Sequence, residues 1–198
     1  MREPDIARSE LIVGGQKSGK SRRAQDLAQA WLAADAQHRS VLIATAVATD
    51  DEMRERIARH QADRARQLPH MVTVEEPLAL AQCITRHSRS DTLLVVDCLT
   101  LWWTNLTWPG HRVLLPPGQV PQSPSAAADA LLAAIADAPG PLVLVSNEIG
   151  LGVIPMGREV RQFVDALGSL NQRVAAACAR ATFMAAGLPL TLKATACT

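Results

Sequence analysis

Residues 14 to 21 read GGQKSGKS and satisfy the spacing G-x-x-x-x-G-K-[ST]. Each residue type has a physical task in that pattern. Gly14, Gly15 and Gly19 let the backbone turn tightly, so that the N–H groups of Gln16, Lys17 and Ser18 can gather round a phosphate. A helix beginning at the end of the motif adds unsatisfied N–H groups and the positive end of its dipole. Lys20 reaches the β- and γ-phosphates of a nucleotide, and the Ser21 hydroxyl ligates Mg²⁺. A Gly/Ser-rich turn arising by chance is the alternative. The motif stands between a strand-like run and a helix-like run, which is the context that phosphate binding requires.

Two carboxylates could complete such a site. Asp97 ends the apolar run TLLVVD, where a carboxylate can hold Mg²⁺ directly or through water. Asp at a strand end is also a common turn former. Glu148 follows the next apolar run and could orient a nucleophile or a substrate, or simply occupy a loop.

A third candidate lies in TDDEMRERIARHQADR, residues 49 to 64. Thr49 and Glu52 form a T-x-x-E capping box, which predicts a helix starting at Thr49. Acidic residues crowd its start, and Arg56, Arg59 and Arg64 lie toward its end, each sign suited to the helix dipole. Met53, Ile57 and His60 share one stripe at helical spacing, which predicts an inward-facing histidine. On the residues alone two readings stand. His60 is a hydrogen-bonded packing residue, or its neutral imidazole is a nucleophile toward phosphorus, with the arginines as phosphate clamps.

The elements that must position these groups follow from periodicity. ELIVGG, SVLIATA, HMVTVEE, TLLVVD and PLVLVSN read as strands, with ATFMAAG a weaker sixth. Helix-like stretches separate them, and Pro77 suits the first turn of PLALAQCITRH. Continuous rather than alternating apolar runs indicate a parallel sheet covered on both faces. The predicted class is α/β: a P-loop nucleotide-binding domain with a mostly parallel β-sheet flanked by helices. Residues 1–10 read as a flexible lead and 11–198 as one domain. Val160, Phe163, Leu167, Leu170, Val174 and Cys178 form a core-facing helical stripe. Residues 109–125, with five prolines, read as a long exposed loop.

Composition narrows the partners. Twenty basic against nineteen acidic residues leave a charge of +1, which gives no electrostatic case for nucleic acid or a membrane surface. No apolar run approaches the roughly 20 residues needed to span a bilayer. The polar start lacks a signal-peptide core, so a cytoplasmic location is expected. Cys83, Cys98, Cys178 and Cys197 are scattered, as reduced thiols would be, without zinc-ligand spacing.

Taken together, GGQKSGKSRRA, IATA, DDEMRERIARHQADR, VDCLTLWWTNL, VLVSNEIGLGVIP, GSLNQRVA and AGLPLTLK occur in one order from about residue 11 to 193. In this the chain resembles the bifunctional adenosylcobinamide kinase/adenosylcobinamide-phosphate guanylyltransferase family of cobalamin biosynthesis. The resemblance implies phosphorylation of adenosylcobinamide by ATP or GTP, with Mg²⁺. It then implies transfer of GMP from GTP, through a guanylylated histidine, to adenosylcobinamide phosphate. The histidine falls on His60. Nucleotide contacts fall on Gly14 to Ser21, on Thr45, Ala46 and Val47, on Gln61, Ala62, Asp63 and Arg64, and on Glu75 and Asp97. The resemblance further implies a homo-oligomer, commonly a trimer. Lys17 stands where the family usually has Arg, and PMG at residues 155–157 replaces a more polar turn. Two rival readings are a P-loop small-molecule kinase without the guanylyl step and a non-catalytic nucleotide-binding ATPase-type subunit.

Overall fold

The computed structural model describes residues 5–48, 50–108 and 122–194. Seven strands form one sheet in the order β3-β2-β4-β5-β1-β6-β7. These are β1 (Ser9–Gly14), β2 (Arg39–Ala44), β3 (Val72–Glu75), β4 (Thr92–Asp97), β5 (Leu142–Asn147), β6 (Arg180–Ala185) and β7 (Leu188–Ala194). The first six are parallel; β7 returns antiparallel to β6. The helices are α1 (Lys20–Ala34), α2 (Asp51–Gln67), α3 (Leu80–His87), α4 (Leu99–Thr107), α5 (Pro124–Asp137) and α6 (Arg158–Ala177).

The central strands are apolar on both faces because both faces are covered, as their unbroken apolar runs require. Leu11, Val13, Leu94, Val96, Leu142 and Leu144 face one way and pack with α3, α4, α5 and α6. Ile12, Leu93, Val95, Val143 and Val145 face the other way and pack with Ala24, Leu27 and Ala28 of α1. Helix α6 buries Leu167, Leu170 and Val174 of the expected stripe, and Cys178 at its end, but leaves Val160 exposed. Among the described residues no helix is long and apolar enough to cross a membrane.

Several boundaries differ from the sequence expectation, each for a local reason. Asp50, not Thr49, supplies the α2 cap: its carboxylate accepts the Met53 N–H at 2.7 Å, and the helix starts at Asp51. Thr49 itself lies outside the described residues. Pro77 precedes α3 rather than opening it, because the Glu76 carboxylate accepts the N–H groups of Leu78 and Ala79 and holds a turn there. Of the expected loop 109–125, residues 109–121 lie outside the described residues, whereas Pro124 and Ser125 begin α5 behind a Ser123 cap. The antiparallel β7 was not anticipated. Its signal was present in the alternation Leu188, Leu190, Leu192 after a two-residue turn at Ala186 and Gly187, both at positive φ. Pro189 masked it, although proline is admissible on an edge strand.

Candidate active site

Parallel strands bring their carboxyl ends to one edge, where ligands of open α/β sheets bind. The loop 15–19 leaves β1 there and enters α1 at Lys20. A Cβ at Gly14 would collide with the Met184 carbonyl oxygen and come within 2.7 Å of Ser18 Oγ. At Gly19, with φ 103°, it would press on the Gly187 Cα at 3.1 Å in a conformation that L side chains rarely adopt. The loop is therefore clamped from the side by the β6–β7 turn, whose Gly187 N–H donates to the Ser18 carbonyl at 3.0 Å. The sequence reading did not single out Gly187.

Lys20 is buried and curls back over the loop, its Nζ donating to the carbonyls of Gly14 at 3.0 Å and Gly15 at 2.6 Å. Gln16 and Lys17 are exposed on the outer rim. Ser18 is buried, and its Oγ has no hydrogen-bond partner. A buried unpartnered hydroxyl inside a loop of N–H donors is the kind of group that an arriving anion would satisfy.

Ser21 and Asp97 line one small recess together, so the structure brings the two expected metal ligands to the same place. No cluster of three or more His, Cys, Asp or Glu side chains suited to a metal occurs among the described residues. Burial and then the Asp97 charge push the adjacent Cys98 thiol up to about 11, so it is a neutral packing group. Cys83 is pushed up to about 11 and Cys178 to about 12, burial being the first cause in each, and none of the three forms a disulfide.

Thr45 turns out to be structural at its side chain. Fully buried, it donates from Oγ1 to the Cys98 carbonyl and accepts the Cys98 N–H there, tying the ends of β2 and β4 together. Asn105 holds the same corner by donating to the carbonyls of Thr45 and Pro77, a role that the sequence reading missed. Ala46 and Val47 are half-buried beyond it. Glu148 lies beside the loop, its N–H on the Gly14 carbonyl, while its carboxylate accepts the Gly150 N–H at 2.8 Å.

Glu75 is exposed at the end of β3, four strand intervals from β1 and so about 19 Å across the sheet. It does not join the loop. Helix α2 carries His60 nine residues after its first residue, about 14 Å along the axis. Met53 and Ile57 are half-buried, as the stripe predicted, while Gln61 and Ala62 are exposed. The side chains of Arg56, His60, Asp63 and Arg64 lie outside the description, so the inward aim of His60 does too.

A sequence profile described as cobinamide kinase / cobinamide phosphate guanyltransferase matches residues 10–192. The chain belongs to this family. The bifunctional adenosylcobalamin biosynthesis protein CobP of Pseudomonas aeruginosa is 46% identical over 185 residues, covering 93% of this chain and 96% of the relative. The bifunctional adenosylcobalamin biosynthesis protein CobU of Salmonella typhimurium is 34% identical, and that of Escherichia coli 32%. Each alignment covers 92% of this chain and 98% of the relative. Among solved structures, the flagellar accessory protein FlaH of Methanocaldococcus jannaschii superposes with a TM-score of 0.52 over 96% of this chain and 80% of that one. Its sequence is only 12% identical, so the likeness concerns the fold alone.

Proposed function

We propose that the loop from Gly14 to Ser21 is a P-loop serving both reactions of this family member, with His60 as the carrier of GMP. The chain is a bifunctional adenosylcobinamide kinase and guanylyltransferase of cobalamin nucleotide-loop assembly. The observation that carries the site assignment is Lys20, folded over the Gly14 and Gly15 carbonyls next to the recess of Ser21 and Asp97. A nucleotide entering the loop exchanges those two carbonyl contacts for phosphate oxygens, a charge-assisted and stronger pairing. Ser21 and Asp97 would hold Mg²⁺, which supplies charge neutralisation on the phosphates when bound.

In the kinase step the substrate hydroxyl attacks the γ-phosphorus of ATP or GTP, and the nucleoside diphosphate leaves. In the guanylyl step the His60 imidazole attacks the α-phosphorus of GTP, a nitrogen–phosphorus bond forms, and pyrophosphate leaves. A phosphate oxygen of adenosylcobinamide phosphate then attacks the same phosphorus, and the nitrogen–phosphorus bond breaks to give adenosylcobinamide-GDP. Thr45, Ala46 and Val47, with Gln61, Ala62, Asp63, Arg64 and Glu75, would contact the guanine nucleotide on the α2 side of the cleft. The lateral reach to Glu75 is one that an extended nucleoside triphosphate could cover only in part, so α2 has to approach the loop for the second step. The bare Leu188, Leu190 and Leu192 on the β7 edge support assembly into a homo-oligomer, for which the family resemblance implies a trimer.

The test separates the two activities. Incubation with α-labelled GTP should give an acid-labile, alkali-stable adduct on the wild-type chain and none on His60→Ala, while His60→Ala still phosphorylates adenosylcobinamide. Equal labelling of both proteins would assign the intermediate elsewhere. Absence of label on both would leave the kinase-only reading in place.

A further inference from the structure

At the edge of the sheet opposite the phosphate loop, the amino ends of β2 and β4 and the start of β3 border a cavity of about 750 Å³. Its size suits a small molecule up to a nucleotide. Arg39, Arg86 and Arg89 line it, and so do His38, His70 and His87. No Asp or Glu is among its lining residues. In a chain whose charges sum to only +1, this is a marked local excess of cationic and titratable nitrogen.

These groups are poorly committed within the fold. Arg39 meets Asp91 only at 4.0 Å and is mostly exposed. Arg89 donates to the neighbouring Ser88 carbonyl, and no hydrogen bond or ion pair engages the side chains of Arg86, His70 or His87 among the described residues. His38 is fixed by stacking on Trp31 at 3.6 Å and by its Nδ1 against the Trp31 carbonyl. The second observation is Ser40. It is 1% exposed, lines the same cavity, and its Oγ has no hydrogen-bond partner. A buried hydroxyl without a partner costs stability unless something else satisfies it.

We infer that this cavity is a second ligand site, separate from the catalytic edge, for a multiply charged small molecule bearing phosphate groups. Guanidinium forks pair with phosphate oxygens in bidentate fashion, and Leu32, Val41 and Val72 offer an apolar floor for the rest of the molecule. The strands are six residues long at β2 and β4, so this site lies about 20 Å along the strand direction from the edge that carries the phosphate loop. Confinement of the cationic groups to one concavity, rather than to a broad face, favours a small ligand over nucleic acid.

The site can be tested independently of the guanylyl reading. The full chain is first saturated with Mg²⁺ and a GTP analogue that cannot be cleaved between the α- and β-phosphates, which occupies the catalytic loop. Inorganic tripolyphosphate is then titrated by calorimetry. The expected result is one further site per chain, with its Kd raised tenfold or more in Arg86→Ala/Arg89→Ala. Both arginines are exposed, so the double variant should melt like the wild type. In the wild type the ring resonances of His38, His70 and His87 should shift with the titration. No binding, binding unchanged by the double variant, unshifted histidines, or tighter binding of a single-stranded oligonucleotide would each overturn the inference.

Discussion

Helices α1 and α2 leave the same edge of the sheet, one after β1 and the other after β2, yet they are held very differently. Helix α1 buries Ala24, Leu27 and Ala28 against the sheet. It is further pinned by Arg23, whose Nε and Nη2 both reach Oε1 of the buried Glu10 carboxylate at 2.8 Å. Helix α2 is longer, and each of its side chains that is described is half-buried or exposed. Among its described side chains only Met53 and Ile57 give it apolar burial, and Arg54 pairs with Asp51 within the same helix. The proposed phosphate-binding half is built into the core, where displacement is costly. The half that carries the proposed nucleophile has little apolar burial among its described side chains, as elements that open readily do.

The sharpest way to break this comparison is Lys20→Ala. It should lower kcat/KM of both half-reactions by about 10³, or ~4 kcal/mol of transition-state stabilisation, as measured by steady-state kinetics. Loss confined to one reaction would mean that the loop does not serve both. Next comes a pair of truncations read by urea denaturation. Leu27→Ala in α1 should cost about 3 kcal/mol, from lost burial and the cavity left behind. Ile57→Ala in α2 should cost under about 1 kcal/mol, because little apolar area is lost there. Equal costs would erase the distinction between the helices.

Much of this arrangement was written in local sequence signals, and what was missed has physical causes. The six parallel strands were readable because strands buried on both faces must be apolar throughout. The tight loop between β1 and α1 was readable because few residue types can turn as Gly14 and Gly19 do. Gly187 was invisible as a site residue because its contact with the loop joins positions more than 160 residues apart. Asn105 and the Thr45 hydroxyl were missed for the same reason, since they satisfy backbone groups on strands brought together only by the fold. The Asp50 cap illustrates a smaller failure: Thr, Asp and Asp stand in succession, and any of the three can cap a helix.

A smaller effect should follow from removing the pin on α1. Glu10 also accepts from Thr182 Oγ1 at 2.7 Å, and its second oxygen faces Arg180 at 3.6 Å. Neutralising it in Glu10→Gln leaves the partly buried Arg23 short of a counter-charge, while Arg180 keeps Asp5 at 2.6 Å, with an expected loss of about 2 kcal/mol in the same denaturation assay. The last prediction concerns pH. The thiols of Cys98 and Cys83, ordinarily at 9.0, are held up near 11 in the folded chain. Their contribution to stability is fully present below pH 9.0 and is lost as pH rises through about 11, because the unfolded chain releases those protons first. Denaturation midpoints should therefore fall over that range, and Cys98→Ala should flatten part of the decline.

The position of β1 has a consequence for how the protein comes into being. In chain order β1 precedes the other six strands of the sheet, yet it sits between β5 and β6, and the loop that follows it is braced by a turn near residue 187. The proposed phosphate cradle therefore cannot close until segments more than 160 residues apart in sequence have met. Such long-range closure predicts slow folding, with the proposed nucleotide grip arising late in it.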